Sequence, residues 1–389
     1  METVNQNITR LNHLLALYGL SNGDLLVLLN DGKNKDLTEK DIFSESIKIS
    51  RLKRIDKIFN KGLSYYVDPS DRIQSTEESI FFRKNSFNAS LSIGDRQVVN
   101  KYEEEKIEFD TLLKLSDIPK KRILPVFKLS DDPQKVATSI REIIYPNSNL
   151  DERGFLKSLI NNLAKNNILV FEFVERHNKI YKANINGFFL LPDVIVLKWQ
   201  KYKRREIFTL VHELGHYLLN EEEIDENVNF EIISTNLSDI EKWCNEFAFS
   251  FLIGNYQKSL SNLPLGSPTN DYHHSTIEGL VKNTYLSRLS LYTFLLYNNK
   301  ISQGNYTSIS KEIKIFIKNQ ENIEKAKFET AKIDAELNGK KLNMPQVKPI
   351  ISPLYKQTLQ IALYNGLLNE YEFCQRLYIK PEKLEAYLA

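Results

Sequence analysis

The sequence has little of what marks a secreted, a membrane-spanning or a nucleic-acid-coating protein. Only Cys244 and Cys374 occur among 389 residues, too few for a disulfide framework, so a reducing compartment is expected. No apolar run approaches the roughly 18–20 residues that a membrane helix needs. Residues 1–7 carry neither the basic nor the apolar part of a secretory signal. We therefore expect a cytoplasmic protein with no membrane partner.

The sequence also lacks the large excess of positive charge that is typical of proteins that coat nucleic acid. Lys and Arg total 52 against 50 for Asp and Glu, which gives a net charge of +2. This balance argues against a chain built mainly to cover nucleic acid, although a local basic patch stays possible. A hydrophobic share of 42% is ordinary for a globular protein, and the length exceeds one core, so we expect two or three domains.

Apolar periodicity separates helical from strand-forming stretches. Residues 8–68 look helical, and helical patterns dominate again from about residue 204 onward. Runs typical of strands are confined to residues 168–173, 179–189 and 194–197. The predicted fold class is α+β, a mostly helical, multi-domain chain with one small β-sheet.

Proline-rich and charged stretches suggest how the chain is divided. We predict a helical module at residues 1–75, a connector at 76–132, a central α+β domain at 133–300, and a C-terminal helical region with a charged linker at 301–389. The central domain holds all of the strand-forming stretches.

The most informative segment of the central domain is residues 208–219, Phe-Thr-Leu-Val-His-Glu-Leu-Gly-His-Tyr-Leu-Leu. On a helix, His212 and His216 lie on one face about 5–6 Å apart, so both imidazoles can bind one metal ion. Glu213 stands beside the first histidine, where it can act as general base on a metal-bound water. The alternative is a chance pentapeptide whose histidines only pack or hydrogen-bond. The apolar helix around the motif favours the metal site.

A catalytic zinc site needs a third protein ligand, and two glutamates compete for that role. Glu241 and Glu246 both lie on the next predicted helix, five positions apart, so they point some 140° away from each other. Only one of them can face the ion. Glu241 lies beside Cys244 and Ala248 on the apolar face of that helix. We therefore predict Glu241 as the ligand, with Glu246 as the alternative.

Residues 208–219, taken with the pattern Glu-x-x-Cys-Asn-x-Phe-Ala at residues 241–248, resemble the ImmA/IrrE family of metallopeptidases. The resemblance extends over about residues 133–298. It implies a zincin-like peptidase core in which the small sheet packs beside the zinc-binding helices. Residues 133–300 would then form a zinc metallopeptidase domain.

The same resemblance implies roles for individual residues. His212, His216 and Glu241 would hold Zn²⁺, and Glu213 would be the catalytic base. The strand at residues 193–197 stands where the family has the edge strand before the zinc helix. We expect an extended substrate to add to that strand.

The N-terminal module carries a second, weaker resemblance. Residues 14–26 resemble the opening of a xenobiotic-response-element type helix-turn-helix. The helix predicted at residues 49–61 bears basic side chains that could contact DNA phosphates, namely Arg51, Lys53, Arg54, Lys57 and Lys61. No helix shows a clear base-reading pattern, so a protein-docking module is the alternative to DNA binding.

Three functions are considered. The leading one is a zinc-dependent endopeptidase that cleaves a protein substrate; the resemblance implies that this substrate is a transcriptional regulator or repressor and that the trigger is a stress, phage or mobile-element signal. The second is a DNA-binding transcriptional regulator whose metal domain acts as a sensor. The third is a metal-stabilised interaction protein without turnover, which Glu213 argues against because a structural site needs no base.

The donor that would stabilise the oxyanion is not fixed by the motif. Tyr217, Tyr272, His273 and His274 are the candidates, although we expect the two histidines to be surface residues of a loop. Cys244 is expected to pack rather than to bind metal.

Overall fold

The computed structural model describes residues 2–31, 36–70, 80, 91–146, 150–176, 178–222, 224, 238–340, 342 and 347–388. Helices hold 64% of the chain and strands 6%, which confirms the predicted α+β, mostly helical class. The chain forms two compact units. One comprises Met1–Asp117, Glu175–Ile185 and Ile224–Asn227, and the other comprises Ile118–Val174, Asn186–Glu223 and Val228–Ala389. Among the described residues, no helix combines the length and the apolarity that a membrane crossing needs.

The first unit consists of short helices and a two-stranded sheet. Its elements are β1 (Thr3–Asn5), α1 (Ile8–Tyr18), α2 (Asn22–Asn30), α3 (Glu39–Ile42), β2 (Ser46–Lys48), α4 (Ile49–Phe59), α5 (Leu63–Val67) and α6 (Ile93–Leu115). β1 and β2 pair antiparallel, with Val4 opposite Ile47. An all-helical region at residues 8–68 was therefore wrong at β2, because a three-residue strand is too short to show alternation.

Helices α1 and α2 follow each other across the tight turn that the sequence predicts. Asn7 caps the first turn of α1, and Gly19 ends the helix in the left-handed conformation with φ 61°. Ser21 and Asp24 form a capping box that starts α2. Two short helices across a tight turn are what the sequence predicts here, and both the helix-turn-helix resemblance and DNA binding stay predictions.

Most of the basic residues of the α4 segment are engaged within the first unit. Arg51 pairs with Asp41 at 2.8 Å. The guanidinium of Arg54 donates to the Leu29 carbonyl, and Lys61 contacts Asn100 and Glu104. Lys53 and Lys57 are exposed. The basic cluster is thus partly structural, which reduces the set of side chains that could reach phosphates.

The second unit surrounds a three-stranded sheet with helices. Its elements are α7 (Pro133–Ile144), α8 (Glu152–Lys165), β3 (Leu169–Phe173), β4 (Gly187–Leu190), β5 (Val194–Lys198), α9 (Lys203–Leu219), α10 (Asp239–Ile253), α11 (Gln257–Ser261), α12 (His274–Asn283), α13 (Arg288–Tyr297), α14 (Gln303–Leu337), α15 (Pro353–Tyr364), α16 (Glu370–Arg376) and α17 (Glu385–Leu388). One hydrophobic core joins α7 to α10, the sheet, and helices α12 to α14.

The strand order, β3-β5-β4, corrects one prediction from the sequence. β5 pairs parallel with β3 and antiparallel with β4, so it is the central strand. The expectation that residues 193–197 form the edge strand was therefore wrong. The unbroken apolar run Val194–Leu197 is compatible with a strand enclosed by neighbours, but it does not identify those neighbours. The predicted strand at residues 179–189 is regular only at its end, in β4.

The two edge strands of this sheet, β3 and β4, differ in what pairs with their outer sides. Phe171 of β3 forms an isolated antiparallel bridge with Ile351, so the segment before α15 covers part of that edge. Within the described residues, β4 pairs with β5 alone. As far as the described part of the chain goes, the outer side of β4 therefore has backbone groups that can pair with an added strand.

A group of charged residues is buried where α9 begins. Lys203 lies 2.5 Å from Glu206 and 3.7 Å from Glu172 of β3. Burial, followed by the hydrogen bond with Glu172, raises the pKa of Glu206 to about 8, although Lys203 opposes the rise. At neutral pH the Glu206 carboxyl is therefore largely protonated.

Replacing Glu206 with Gln is expected to remove a pH dependence of stability. The Glu206 carboxyl titrates near 4.5 when the chain is unfolded and near 8 when it is folded. Its contribution to the free energy of unfolding is therefore complete at low pH and is lost as pH rises to about 8. The stability of wild type relative to E206Q should fall by roughly 1 kcal/mol per pH unit over that window. Urea unfolding of both proteins at several pH values measures it. A stability difference that stays constant with pH would contradict the raised pKa of Glu206.

Candidate metal centre

The centre forms where helices α9 and α10 pack closely, and a glycine of the motif permits the approach. A Cβ placed on Gly215 would lie 3.0 Å from the Cys244 sulfur and 3.2 Å from its Cα. Both distances are shorter than ordinary van der Waals contact. Cys244 is fully buried, which agrees with the expected packing role. Ser238 caps α10 by accepting the Glu241 backbone N–H, so Glu241 stands in the first turn beside α9.

Gly215→Ala is expected to push the two helices apart and to destabilise the protein by about 1–3 kcal/mol. The backbone Cα of Cys244 cannot move away as a side-chain tip could, so zinc binding should weaken as well. Gly279→Ala is the matched control, because nothing lies within 4 Å of the added Cβ in helix α12. That variant should be neutral or more stable by up to about 1 kcal/mol. Thermal unfolding of both variants measures the difference. Equal changes in stability would argue against the role of Gly215 in letting α9 and α10 approach closely.

Three predicted ligands meet at one point. His212 Nε2 lies 3.1 Å from Glu241 Oε2, His216 Nε2 lies 3.1 Å from Glu241 Oε1, and the two Nε2 atoms are 3.2 Å apart. All three side chains are buried. They are the group of described His, Cys, Asp and Glu residues that could hold a metal ion.

The geometry of this group fits zinc. Ligand atoms about 2.0–2.1 Å from a tetrahedral zinc lie roughly 3.3–3.4 Å from one another. The observed separations of 3.1–3.2 Å agree within a few tenths of an ångström. Two imidazoles and one carboxylate are the donor set of several catalytic zinc sites, and three protein ligands leave a fourth position for water.

The choice between the two glutamates of α10 follows from their positions. Glu241 is 4% exposed and points at the histidines. Glu246 is exposed, and its carboxylate accepts a hydrogen bond from the Gln134 amide. Burial alone would raise the pKa of Glu241, but attraction and hydrogen bonds from His212 and His216 lower it well below its usual value. The carboxylate is therefore anionic, as a metal ligand requires.

Asn245 orients the first histidine, a role that the sequence analysis did not assign. Its Oδ1 lies 3.1 Å from His212 Nδ1. An amide oxygen only accepts, so Nδ1 carries the proton and Nε2 keeps its lone pair for the centre. A usable signal existed, because Asn245 stands four positions after Glu241 and so lies on the same face of α10.

Asn245→Ala is expected to weaken zinc binding by about 10–100-fold, because His212 loses the acceptor that fixes its tautomer and its orientation. Asn245→Asp retains an oxygen acceptor and should bind zinc nearly as tightly as wild type. Competition with a chromogenic chelator measures both affinities. Equal affinities for the alanine variant and wild type would show that packing alone orients the ring.

The predicted base, Glu213, lies between the histidines in sequence and against strand β4 in space. A Cβ placed on Gly187 would lie 2.6 Å from Thr209 Cγ2 and 3.3 Å from Glu213 Cγ. The glycine therefore lets the backbone of β4 run directly over α9 at the position of Glu213. Glu213 is 2% exposed. Strand β4 thus contacts α9 at the position of the predicted base.

The four candidate oxyanion donors occupy different environments. His273 is 7% exposed and its Nε2 lies 2.9 Å from the Pro264 carbonyl, so the expected surface position was wrong for this residue. His274 is exposed, as expected. Tyr217 is fully buried with the Arg122 guanidinium over its ring, and Tyr272 packs against the core. The assignment of a donor stays open among these residues.

The comparisons with known proteins agree with this geometry. The family model of the IrrE N-terminal-like domain, a peptidase family, matches residues 165–257. The matched range contains β3, β4, β5, α9 and α10, and with them the clustered side chains of His212, His216 and Glu241 together with Glu213. No curated protein and no solved structure matches the chain. Residues 165–257 are therefore similar to the IrrE N-terminal-like peptidase domain of the ImmA/IrrE family.

Proposed function

We propose that this protein is a zinc-dependent endopeptidase that cleaves a transcriptional regulator at a specific site. The observation that carries the proposal is the buried triangle of two imidazoles and one carboxylate, with Glu213 adjacent to it. A structural zinc site is closed by four protein ligands and needs no neighbouring base. Three ligands and a base are the arrangement of a hydrolase.

Each residue of the centre has a separate role in the proposed reaction. His212, His216 and Glu241 would hold the ion, which when bound polarises the scissile carbonyl and makes water a nucleophile at neutral pH. Glu213 accepts the proton of the attacking water and passes it to the leaving amine. Asn245 keeps His212 in the tautomer that leaves Nε2 unprotonated. The surrounding apolar core excludes bulk water from the charged groups.

The substrate is proposed to bind as an added strand on the outer edge of β4. Within the described residues this edge is unpaired, and its strand passes over Glu213 at Gly187. Main-chain hydrogen bonds would align an extended segment and bring one peptide bond to the centre. Because the substrate must be extended, an exposed linker of a partner protein suits the site better than a folded domain. Cleavage at one such linker fits regulation rather than general digestion.

The test is co-expression of this protein with candidate transcriptional regulators, beginning with any regulator encoded beside its gene. We expect the regulator to be cut at a single position, as seen by mass spectrometry, and to stay intact when the purified enzyme is treated with a zinc chelator. Zinc added back should restore the cut. An enzyme loaded with zinc that leaves the regulator intact would exclude this substrate. Cutting that persists without metal would exclude the mechanism.

A further inference from the structure

The loop between strands β3 and β4 packs in the first unit, although both strands belong to the second. Residues Glu175–Ile185 are part of the first unit, and the second unit resumes at Asn186. Strand β4 begins one residue later, at Gly187. Two extended residues span about 7 Å of backbone. The start of β4 is therefore separated by only a short length of chain from residues that are held in the first unit.

Asp95 of helix α6 holds the end of this loop. The residue is fully buried, and its Oδ1 accepts the backbone N–H groups of Asn184 at 2.5 Å and of Ile185 at 3.0 Å. Its Oδ2 accepts the backbone N–H of Ser92 at 3.0 Å and the Ser92 hydroxyl at 2.5 Å. One oxygen thus completes the capping box of α6, and the other binds two consecutive amides of the loop.

The backbone of the loop also lies directly on the first turn of α6. The Lys182 carbonyl group is so close to Gly94 that a Cβ on this glycine would overlap the carbonyl oxygen and carbon. Glu175 holds the loop from its other end, because its Oε1 accepts the Ala183 N–H at 2.6 Å. Residues 182–185 are therefore fixed to α6 by hydrogen bonds and by a backbone contact that leaves no room for a side chain.

The residues that follow this loop reach the proposed substrate edge and the predicted base. The Asn186 carbonyl accepts the Lys198 N–H at 2.8 Å, so pairing with β5 begins there. In an antiparallel pair, successive residues turn their N–H and C=O groups alternately toward the partner strand and away from it. Gly187 and Phe189 therefore turn theirs to the outer side of β4, and Gly187 also lies against Glu213.

We propose that Asp95 is a positioning residue for the substrate-binding strand, through which the first unit controls how the second binds substrate. By holding Asn184 and Ile185, it fixes the point from which β4 enters the sheet. It thereby fixes the backbone of Gly187 and Phe189, to which an extended substrate would bind. The consequence for substrate rests on the proposed peptidase function, whereas the anchoring of β4 does not depend on it.

The first test is hydrogen–deuterium exchange of the β4 amides in the full-length protein. In Asp95→Ala we expect this exchange to be about tenfold faster than in wild type, because the start of β4 loses its anchor. Asp95→Asn keeps an oxygen that can accept from both loop amides, so it should restore slow exchange. Gly94→Ala displaces the Lys182 carbonyl but keeps every hydrogen-bonding group, and it should accelerate β4 exchange as well.

Two controls separate the anchoring of β4 from the loss of a helix cap. Ser92→Ala removes the capping serine of α6 and leaves the bonds from Asp95 to the loop in place. Asp24→Ala removes the same kind of capping box, formed with Ser21, from the start of α2 in the same unit. Neither variant should change the exchange of β4.

The second test follows the kinetics of regulator cleavage. Asp95→Ala should raise KM by about tenfold and change kcat by less than about threefold, because contacts along the strand bind substrate and transition state alike. Its zinc content should equal that of wild type, since the ligands lie on α9 and α10. Asp95→Asn should restore KM.

The two tests distinguish failure of this proposal from failure of the proposed function. Unchanged β4 exchange in Asp95→Ala and Gly94→Ala, or equal acceleration in Asp24→Ala, would overturn the proposal. A lower kcat at unchanged KM in Asp95→Ala would overturn it too. A wild-type protein that cleaves no regulator would count against the peptidase function, and the exchange rates alone would then decide whether Asp95 positions β4.

Discussion

Glu213→Gln is expected to reduce peptide cleavage by about 10²–10⁴-fold while zinc content and fold remain those of wild type. The amide is nearly the same size as the carboxylate, so it preserves the contact between α9 and β4 at Gly187. It cannot accept a proton from water, however, and the attack therefore loses its base. The rate of regulator cleavage, the zinc content and the circular dichroism of the purified variant together measure the effect.

A matched glutamine substitution separates this role from a general effect of lost charge. Glu246→Gln changes an exposed carboxylate on α10 and should leave the cleavage rate unchanged. If Glu213→Gln cleaved as fast as wild type, Glu213 would not be the base. If the variant lost cleavage but kept its full biological effect and an affinity for DNA, the protein would instead act as a regulator with a metal sensor.

The parts of the structure that could be predicted from sequence are those fixed over short distances along the chain. Helix α1 occupies the residues that its apolar spacing predicts, between an asparagine cap and a glycine stop. The i, i+4 spacing of His212 and His216 required only that α9 be helical. The choice of Glu241 over Glu246 needed the apolar face of α10, which is also a local pattern.

The parts that could not be predicted depend on which segments meet across long separations. The central position of β5 in the sheet results from its pairing with both β3 and β4. An apolar run in the sequence does not reveal which strands are its partners. The contact between Asn245 and His212 spans 33 positions. The residue that bridges to Phe171 of β3 is Ile351, which lies much later in the chain. Periodicity carries no information about such contacts.

Glu241→Ala is expected to lower zinc affinity by more than about 100-fold, since losing an outer-shell partner of a zinc ligand already costs up to about that factor. Two imidazoles alone would remain, 3.2 Å apart, and neither carries the negative charge that offsets a divalent cation in a buried site. Glu246→Ala, on the same helix, should retain about one zinc per chain and stay within about 0.5 kcal/mol of wild-type stability. Metal analysis after dialysis distinguishes the two variants. Zinc retained by Glu241→Ala would mean that another group completes the site, and loss in both would point to helix α10 itself. Only the predicted pattern, loss at 241 and retention at 246, makes the carboxylate of Glu241 the ligand that joins the two helices into one metal centre.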